Sequence, residues 1–145
     1  MAYEVSSFVP EIPVRDYIRR LSKHARLLPP ILLTMIYFSD RLSALYPSFL
    51  LNSLTIHRFL IAAATVASKG LTDQYYANKK YASVGGIPRS ELFRLELELL
   101  ARLNWKILPP DDILLYYYHG LVEHTPGYEL ERRHIHGIDL AQRST

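Results

Sequence analysis

Nine prolines divide the 145-residue chain into pieces of helical length. None of these pieces shows the strict alternation of apolar and polar residues that marks a half-buried strand. Proline suits the first turn of a helix and breaks its interior, so Pro29-Pro30, Pro88 and Pro109-Pro110 are expected to begin helices. By the same argument, Pro47 ends a helix or follows its end. The sequence therefore predicts an all-α domain.

The sequence predicts six helical segments, of which the third is expected to be central. The first helix is predicted over about 13–28 and the second from Pro29-Pro30 to about 47. The third is predicted from an N-cap at Asn52 or Ser53 to a stop at Gly70. The last three are predicted over about 73–84, over about 88–105 and from 111 onward. The third contains "AAATVAS", whose small side chains let other helices approach closely. We predict that it is the central helix, and that residues 120–145 form the end of the last helix and a partly ordered polar tail.

Composition limits the classes of protein that this chain can belong to. With 49% hydrophobic and 21% charged residues, it can bury one core. It has no cysteine, which excludes disulfides and cysteine-metal sites. The start "MAYEVSSFVP" lacks the features of a signal peptide, and no segment has about 20 uninterrupted apolar residues. We expect a soluble, intracellular protein without a membrane segment, in the nucleus, the cytoplasm or both.

The formal charge of +3 arises from basic residues that are scattered along the sequence. A nucleic-acid footprint requires basic residues clustered on one face, so nucleic-acid binding is not expected.

Two charged residues lie on helix faces that are otherwise apolar or small. Lys69 follows Val66 by three residues, and Glu96 lies four residues from both Leu92 and Leu100. A lone buried charge costs several kcal/mol, so the two charges either pair with each other or serve a partner. Alternatively, both are residues at helix edges whose aliphatic stems reach solvent.

Three segments of the chain resemble one family. "TMIYFSDRL", "HRFLIAAATVASKGLTDQYYANKKYASVGGI" and "ELFRLELELLARLNWKI" are similar to the cyclin box of P-type (U-type) cyclins, the group that includes the fungal phosphate-signalling cyclins. The resemblance covers residues 9–119 in the same order and spacing. It implies a single cyclin box of five helices around a central third helix, plus a C-terminal helix. It also implies a regulatory subunit that binds and activates a cyclin-dependent serine/threonine kinase.

The resemblance also implies roles for individual residues. Lys69 and Glu96 match the pair that hydrogen-bonds the kinase backbone beside its mobile signature helix. The apolar residues that match anchors against the kinase are Val66, Leu100, Trp105 and Ile107, although core packing is an equal alternative for each.

Three further residues match positions with known roles in the family. Asp73 matches an aspartate that contacts an arginine of the kinase activation loop, with an N-cap of the fourth helix as the alternative. Arg20 and Asp40 match a structural pair between the first two helices. The first helix lacks the apolar run through which cell-cycle cyclins dock substrates, so no such docking site is predicted.

Other candidate sites are weaker. His134 and His136 stand without a carboxylate or cysteine framework at zinc spacing, so no metal is expected. The tyrosines 116–118 fit helix packing better than a nucleic-acid platform. No catalytic motif is present, so we expect no enzymatic activity, cofactor or small-molecule substrate. The alternatives to a kinase regulator are a nucleic-acid-associated cyclin-box protein of transcription-factor type and a self-associating helical scaffold.

Overall fold

The computed structural model describes residues 12–49, 51–53 and 55–127, and the backbone of residues 134–135 and 138–139. Within these ranges the chain forms helices and one minimal hairpin. The helices are α1 (Val14–His24), α2 (Pro29–Leu45), α3 (Ile56–Leu71), α4 (Asn78–Gly85), α5 (Arg89–Arg102) and α6 (Asp111–Glu123). The predicted all-α fold is confirmed.

Helix α3 is the centre of the domain. It contacts α1, α2, α4 and α5. Every residue from Phe59 to Ser68 is buried, on all sides of the helix. The small side chains of residues 62–64 and 67 permit this enclosure, because they let helix axes come close without leaving voids. The predicted central position of the third helix is therefore confirmed.

Proline and glycine set most helix ends as expected. Pro29 is the first residue of α2, and Pro88 and Pro110 immediately precede α5 and α6. Gly86 ends α4 with a φ of 73°, the left-handed conformation that glycine adopts at least cost.

Three other helix ends differ from the expectation. Helix α1 stops at His24, because the chain turns at Arg26 with a φ of 52°. Helix α3 has Thr55 as its N-cap, so neither Asn52 nor Ser53 has that role. It ends at Leu71, one residue beyond Gly70, and this glycine also makes room for a neighbour: a Cβ there would lie 2.8 Å from Cδ1 of Ile107.

The predicted pairing of Arg20 with Asp40 is not what the structure contains. The Arg20 guanidinium donates to the carbonyl of Ser83 at 3.3 Å, which ties α1 to α4. Asp40 accepts a hydrogen bond from the hydroxyl of Tyr117, which ties α2 to α6. Each side chain thus has a partner on a helix that the sequence pattern did not associate with it.

Two short paired strands lie in the region for which a partly ordered polar tail was predicted. Strand β1 (His134–Ile135) pairs antiparallel with β2 (Ile138–Asp139), with His134 opposite Asp139. Among the described helices, none is long and apolar enough to cross a bilayer. Among all the residues that the structure describes, no three histidine, aspartate or glutamate side chains come together where they could hold a metal ion.

Tyr17 holds α1 against two other helices. Its hydroxyl donates to the carbonyl of Gly85 at 2.7 Å, and its ring makes an edge contact with His57, with 4.7 Å between centroids. Burial raises the pKa of Tyr17 far above its usual value of 10.0, because the charged phenolate would be poorly solvated there. The fold therefore favours the neutral phenol.

Tyr17 generates a prediction about alkaline stability. Its folded pKa is raised, so its contribution is fully present below about pH 10, the unfolded value, and is lost as the pH rises above that value. Tyr17→Phe should cost about 1 kcal/mol at neutral pH through the lost hydrogen bond. This difference from the wild type should shrink between pH 9 and 11 in urea unfolding. Tyr75→Phe removes an exposed phenol as a control, and the same pH trend in both variants would contradict the prediction.

A second prediction concerns the contact between α4 and α3. A Cβ at Gly85 would lie 2.5 Å from Cγ1 of Ile61, so Gly85→Ala should destabilise the fold by about 1–3 kcal/mol through overpacking. Gly120→Ala, in α6, meets no atom within 4 Å and should stabilise by up to about 1 kcal/mol through helix propensity. Thermal and urea unfolding of both variants test this. Equal effects of the two substitutions would show that the α3–α4 contact is looser than described.

Candidate functional site

Three polar side chains from three helices meet at one end of the domain. The Lys69 ammonium, in the last turn of α3, donates to Oε1 of Glu96 at 2.9 Å. It also donates to Oδ1 of Asn78, the first residue of α4. The Asn78 amide donates in turn to Oε2 of Glu96 at 2.6 Å, so the three groups close a ring. We call Lys69, Asn78 and Glu96 the polar triad.

Burial differs sharply between the two charged members of the triad. The Glu96 side chain is 7% exposed, whereas that of Lys69 is 34% exposed. A carboxylate buried in the middle of α5 is tolerated because both of its oxygens accept hydrogen bonds and one comes from a cation. Lys69 and Glu96 therefore pair with each other, which is one of the explanations expected from the sequence.

The triad leaves donor capacity on its exposed side. An ammonium has three N–H donors, and Glu96 and Asn78 take two from Lys69. The third donor is available to an acceptor from outside the chain. Because the ring fixes the position of the nitrogen, it can present this donor in a defined direction.

Asn78 is the member that sequence reasoning missed. It stands in "YYANKKY", where an asparagine at the start of a helix fits local capping as well as any tertiary role. Only the folding of α4 beside the end of α3 and the middle of α5 shows that the Asn78 amide bridges a lysine and a glutamate. Neither charge patterning nor helical periodicity carries a signal for such a neutral bridge.

Large apolar side chains are exposed along α5 and the segment after it. The most exposed are Trp105 and Leu108, at 65% and 64%, followed by Phe93 at 58% and Leu97 at 45%. Phe93 and Leu97 are one helical turn apart on α5, the helix that carries Glu96. We call these four residues the apolar surface. Exposed apolar side chains on α5 and on the segment that follows it are available for contact with another macromolecule.

Trp105 is held outward by an unusual backbone. Asn104 and Trp105 both have left-handed φ values, 54° and 60°, immediately after α5. The Trp105 amide donates to the carbonyl of Leu100 at 2.9 Å, which closes the end of the helix. A bulky residue in this region of φ is strained, and such strain clusters at functional positions.

The other predicted apolar anchors are more enclosed. Val66 is 3% exposed within the main core cluster, so it is a core residue and has almost no surface to offer a partner. Leu100 and Ile107 are half-buried and pack against the same cluster. Ile107 also fills the space over Gly70, the residue after Lys69, and so joins the segment that carries Trp105 to the triad.

Asp73 lies exposed in the loop between α3 and α4. Helix α4 begins at Asn78 with Ala77 as its N-cap, so Asp73 is not the N-cap of this helix. The alternative, a contact with a partner, stays a prediction.

The triad yields a prediction about stability. Asn78→Ala removes both hydrogen bonds of the amide and should lower the free energy of unfolding by about 1–3 kcal/mol, because Glu96 is left with a poorly solvated oxygen. Lys79→Ala, at the next and exposed position of the same helix, should change it by less than about 0.5 kcal/mol. Urea unfolding at constant ionic strength distinguishes the two. Equal losses would mean that the amide does not support the buried carboxylate.

Comparisons with known proteins identify the family of this chain. The family model for cyclins matches residues 2–107. The chain is 58% identical over 126 residues to the Nuc-1 negative regulatory protein preg of Neurospora crassa, an overlap of 87% of this chain and 26% of that protein. It is 46% identical over 106 residues to the PHO85 cyclin PHO80 of Saccharomyces cerevisiae, covering 73% of this chain and 36% of the relative.

A plant relative extends the comparison. The chain is 36% identical over 109 residues to Cyclin-U4-1 of Arabidopsis thaliana, covering 74% of this chain and 54% of the relative. It thus spans between about a quarter and about half of the length of these relatives. The cyclin model covers well over half of this chain, and the helices, the central α3 and the paired Lys69 and Glu96 fit the expectation drawn from the sequence. The chain belongs to the cyclin family.

Proposed function

We propose that this chain is a regulatory cyclin that binds and activates a cyclin-dependent serine/threonine kinase in phosphate signalling. The names of two relatives support the process: one is a PHO85 cyclin and the other a negative regulator of Nuc-1. The single observation that carries the proposal is the polar triad beside the apolar surface. A buried charged ring with one free donor, next to exposed aromatic side chains, has the chemistry of a binding site and lacks that of a catalytic one.

The triad contributes a fixed donor to the proposed interface. The third N–H of Lys69 donates to a backbone carbonyl of the kinase beside its mobile signature helix. Because Glu96 and Asn78 hold the ammonium on two sides, little side-chain entropy is lost when the kinase binds. The hydrogen bond is therefore directional, and forming it costs little conformational entropy.

The apolar surface contributes most of the proposed affinity. Trp105 is the anchor, since tryptophan is enriched among residues whose truncation costs 2 kcal/mol or more at interfaces, and its strained backbone holds it outward before binding. Phe93 and Leu97 extend the contact along α5. Burying these side chains removes apolar area from water, which is worth about 25 cal/mol per Å² before the costs of association.

Activation follows from the rigidity of this surface. A kinase whose signature helix moves between two positions is activated when a partner binds only the inward position, where the helix glutamate pairs with the phosphate-binding lysine. Helices α3 and α5 are packed on a common core and joined by the triad, so the chain cannot adapt to the outward position. In this proposal Asp73 contacts an arginine of the activation loop and takes the place of a phosphate there.

The proposed complex assigns all catalysis to the kinase, and it places the chain where such kinases act, in the nucleus or the cytoplasm. A nucleic-acid-associated protein of transcription-factor type is not favoured, because the relatives are PHO85 cyclins, a Nuc-1 regulator and plant cyclins.

Trp105 provides the test of the proposal. Trp105→Ala should weaken kinase binding by about 2 kcal/mol or more, roughly 30-fold, and reduce activation in parallel, because it removes the central anchor. The free energy of unfolding of the Trp105→Ala variant should differ from that of the wild type by less than about 1 kcal/mol, because Trp105 is 65% exposed. Calorimetric titration and a kinase assay measure these effects. PHO85, after which the Saccharomyces relative is named, is the first partner to use, followed by a panel of cyclin-dependent kinases.

Tyr116→Ala is the matched control. Tyr116 is an aromatic residue that is 73% exposed on α6, outside the apolar surface, and its removal should leave kinase binding unchanged. If none of the kinases binds the wild type, the proposed function is wrong. If both variants lose affinity equally, the kinase binds but through another surface.

A further inference from the structure

Helix α1 carries a stripe of cations on its solvent side. Arg15, Arg19 and Lys23 follow one another at intervals of four residues and are all exposed, opposite the buried Tyr17 and Leu21. We call these three cations the basic stripe. The basic residues that are scattered in the sequence are therefore concentrated locally once α1 forms.

The basic stripe costs stability within its own helix. Like charges four residues apart lie next to each other on a helix and destabilise it by about 0.2–0.5 kcal/mol per pair, and the stripe contains two such pairs. Arg15 also lies in the first turn, where the helix dipole disfavours a cation. Lys23 lies in the last turn, where the helix dipole favours a cation, so the unfavourable dipole interaction falls on Arg15.

Among the residues that the structure describes, carboxylates do little to neutralise the stripe. Asp16 is the only acidic residue of α1, and its contact with Arg19 is 3.9 Å long and largely exposed. Glu91 of α5, whose charge reaches the Tyr17 hydroxyl, is already bound to Arg58 at 2.6 Å. The basic stripe thus presents a positive potential to solvent.

We propose that the basic stripe is a docking surface for an extended, acidic segment of another protein, with carboxylates at alternate positions. Four residues of a helix rise about 6 Å, and two residues of an extended strand rise about 6.6 Å. Carboxylates at every second position of an extended segment therefore match Arg15, Arg19 and Lys23 one to one. Two of the three cations are arginines, whose planar fork binds a carboxylate through two hydrogen bonds.

The stripe lies apart from the polar triad, so the two surfaces can be occupied together. Helix α1 contacts the C-terminal end of α4, where Arg20 binds the carbonyl of Ser83. The triad instead uses Asn78, the first residue of α4. Exposed ion pairs are individually weak, so the docked segment binds with low affinity alone. Its effect grows when a second contact tethers the same partner, because the tether raises its effective concentration to the millimolar range.

The test is an NMR titration of the isotope-labelled chain with synthetic peptides. The probe is a peptide with three glutamates separated by single serines; a peptide of the same composition with contiguous glutamates tests the spacing. We expect chemical-shift changes that are confined to the backbone amides of α1. Peptide affinity should be several-fold lower at about 150 mM than at about 20 mM salt, because salt screens exposed charges. The peptide with contiguous glutamates should bind more weakly than the one with alternating glutamates. Shifts spread over the whole surface, or equal binding of both peptides, would overturn the proposal.

Two triple variants with the same change in charge complete the design. Arg15→Gln, Arg19→Gln and Lys23→Gln together should weaken peptide binding about tenfold, in line with the loss of three exposed ion pairs. Lys79→Gln, Arg89→Gln and Lys106→Gln together remove three exposed cations elsewhere and should change it less than twofold. Equal losses in both would show that only net charge matters. Tighter binding of duplex DNA or of anionic vesicles to the stripe than of the peptide would assign it to another class of partner.

Discussion

The buried carboxylate of Glu96 is the constraint on which the functional end of this domain depends. A carboxylate that is 7% exposed must be paired and hydrogen-bonded, and here the two groups that satisfy it come from different helices. Lys69 lies at the end of α3 and Asn78 at the start of α4. Their hydrogen bonds to Glu96 of α5 therefore fix the relative positions of the three helices. A contact required for stability is thereby also the one that orients the exposed ammonium.

Gly70 connects this polar ring to the apolar surface. Because it has no side chain, Ile107 packs directly against α3 one residue beyond Lys69. That packing anchors the segment after α5, in which Trp105 is turned outward by a left-handed backbone and by the hydrogen bond to Leu100. This packing joins the segment that carries Trp105 to the end of α3, next to the residue whose ammonium the triad holds.

Sequence reasoning succeeded where a single residue has one dominant physical effect. The prolines at the start of α2 and directly before α5 and α6, together with the left-handed Gly86, set helix ends, and the run of small residues placed α3 at the centre. It failed where a residue has several equally good local roles.

Gly70 was expected to stop a helix but serves a close approach, and nothing in its neighbours distinguishes the two uses. Asn78 looks like a cap residue but bridges two charges. Arg20 and Asp40 found tertiary partners in Ser83 and Tyr117, which only the packing of α4 and α6 brings within reach.

The two exposed surfaces of the domain differ in what they can contribute to recognition. Beside the triad, the charges are satisfied within the chain and the exposed groups are apolar, which favours a tight, desolvated contact. On α1 the cations are solvated and have few internal partners, which favours fast, salt-sensitive encounter and discrimination by charge. The two proposals use these surfaces in this way: the apolar one for the kinase and the basic one for a second, acidic segment. The placement of α1 beside the far end of α4 keeps them from competing for the same space.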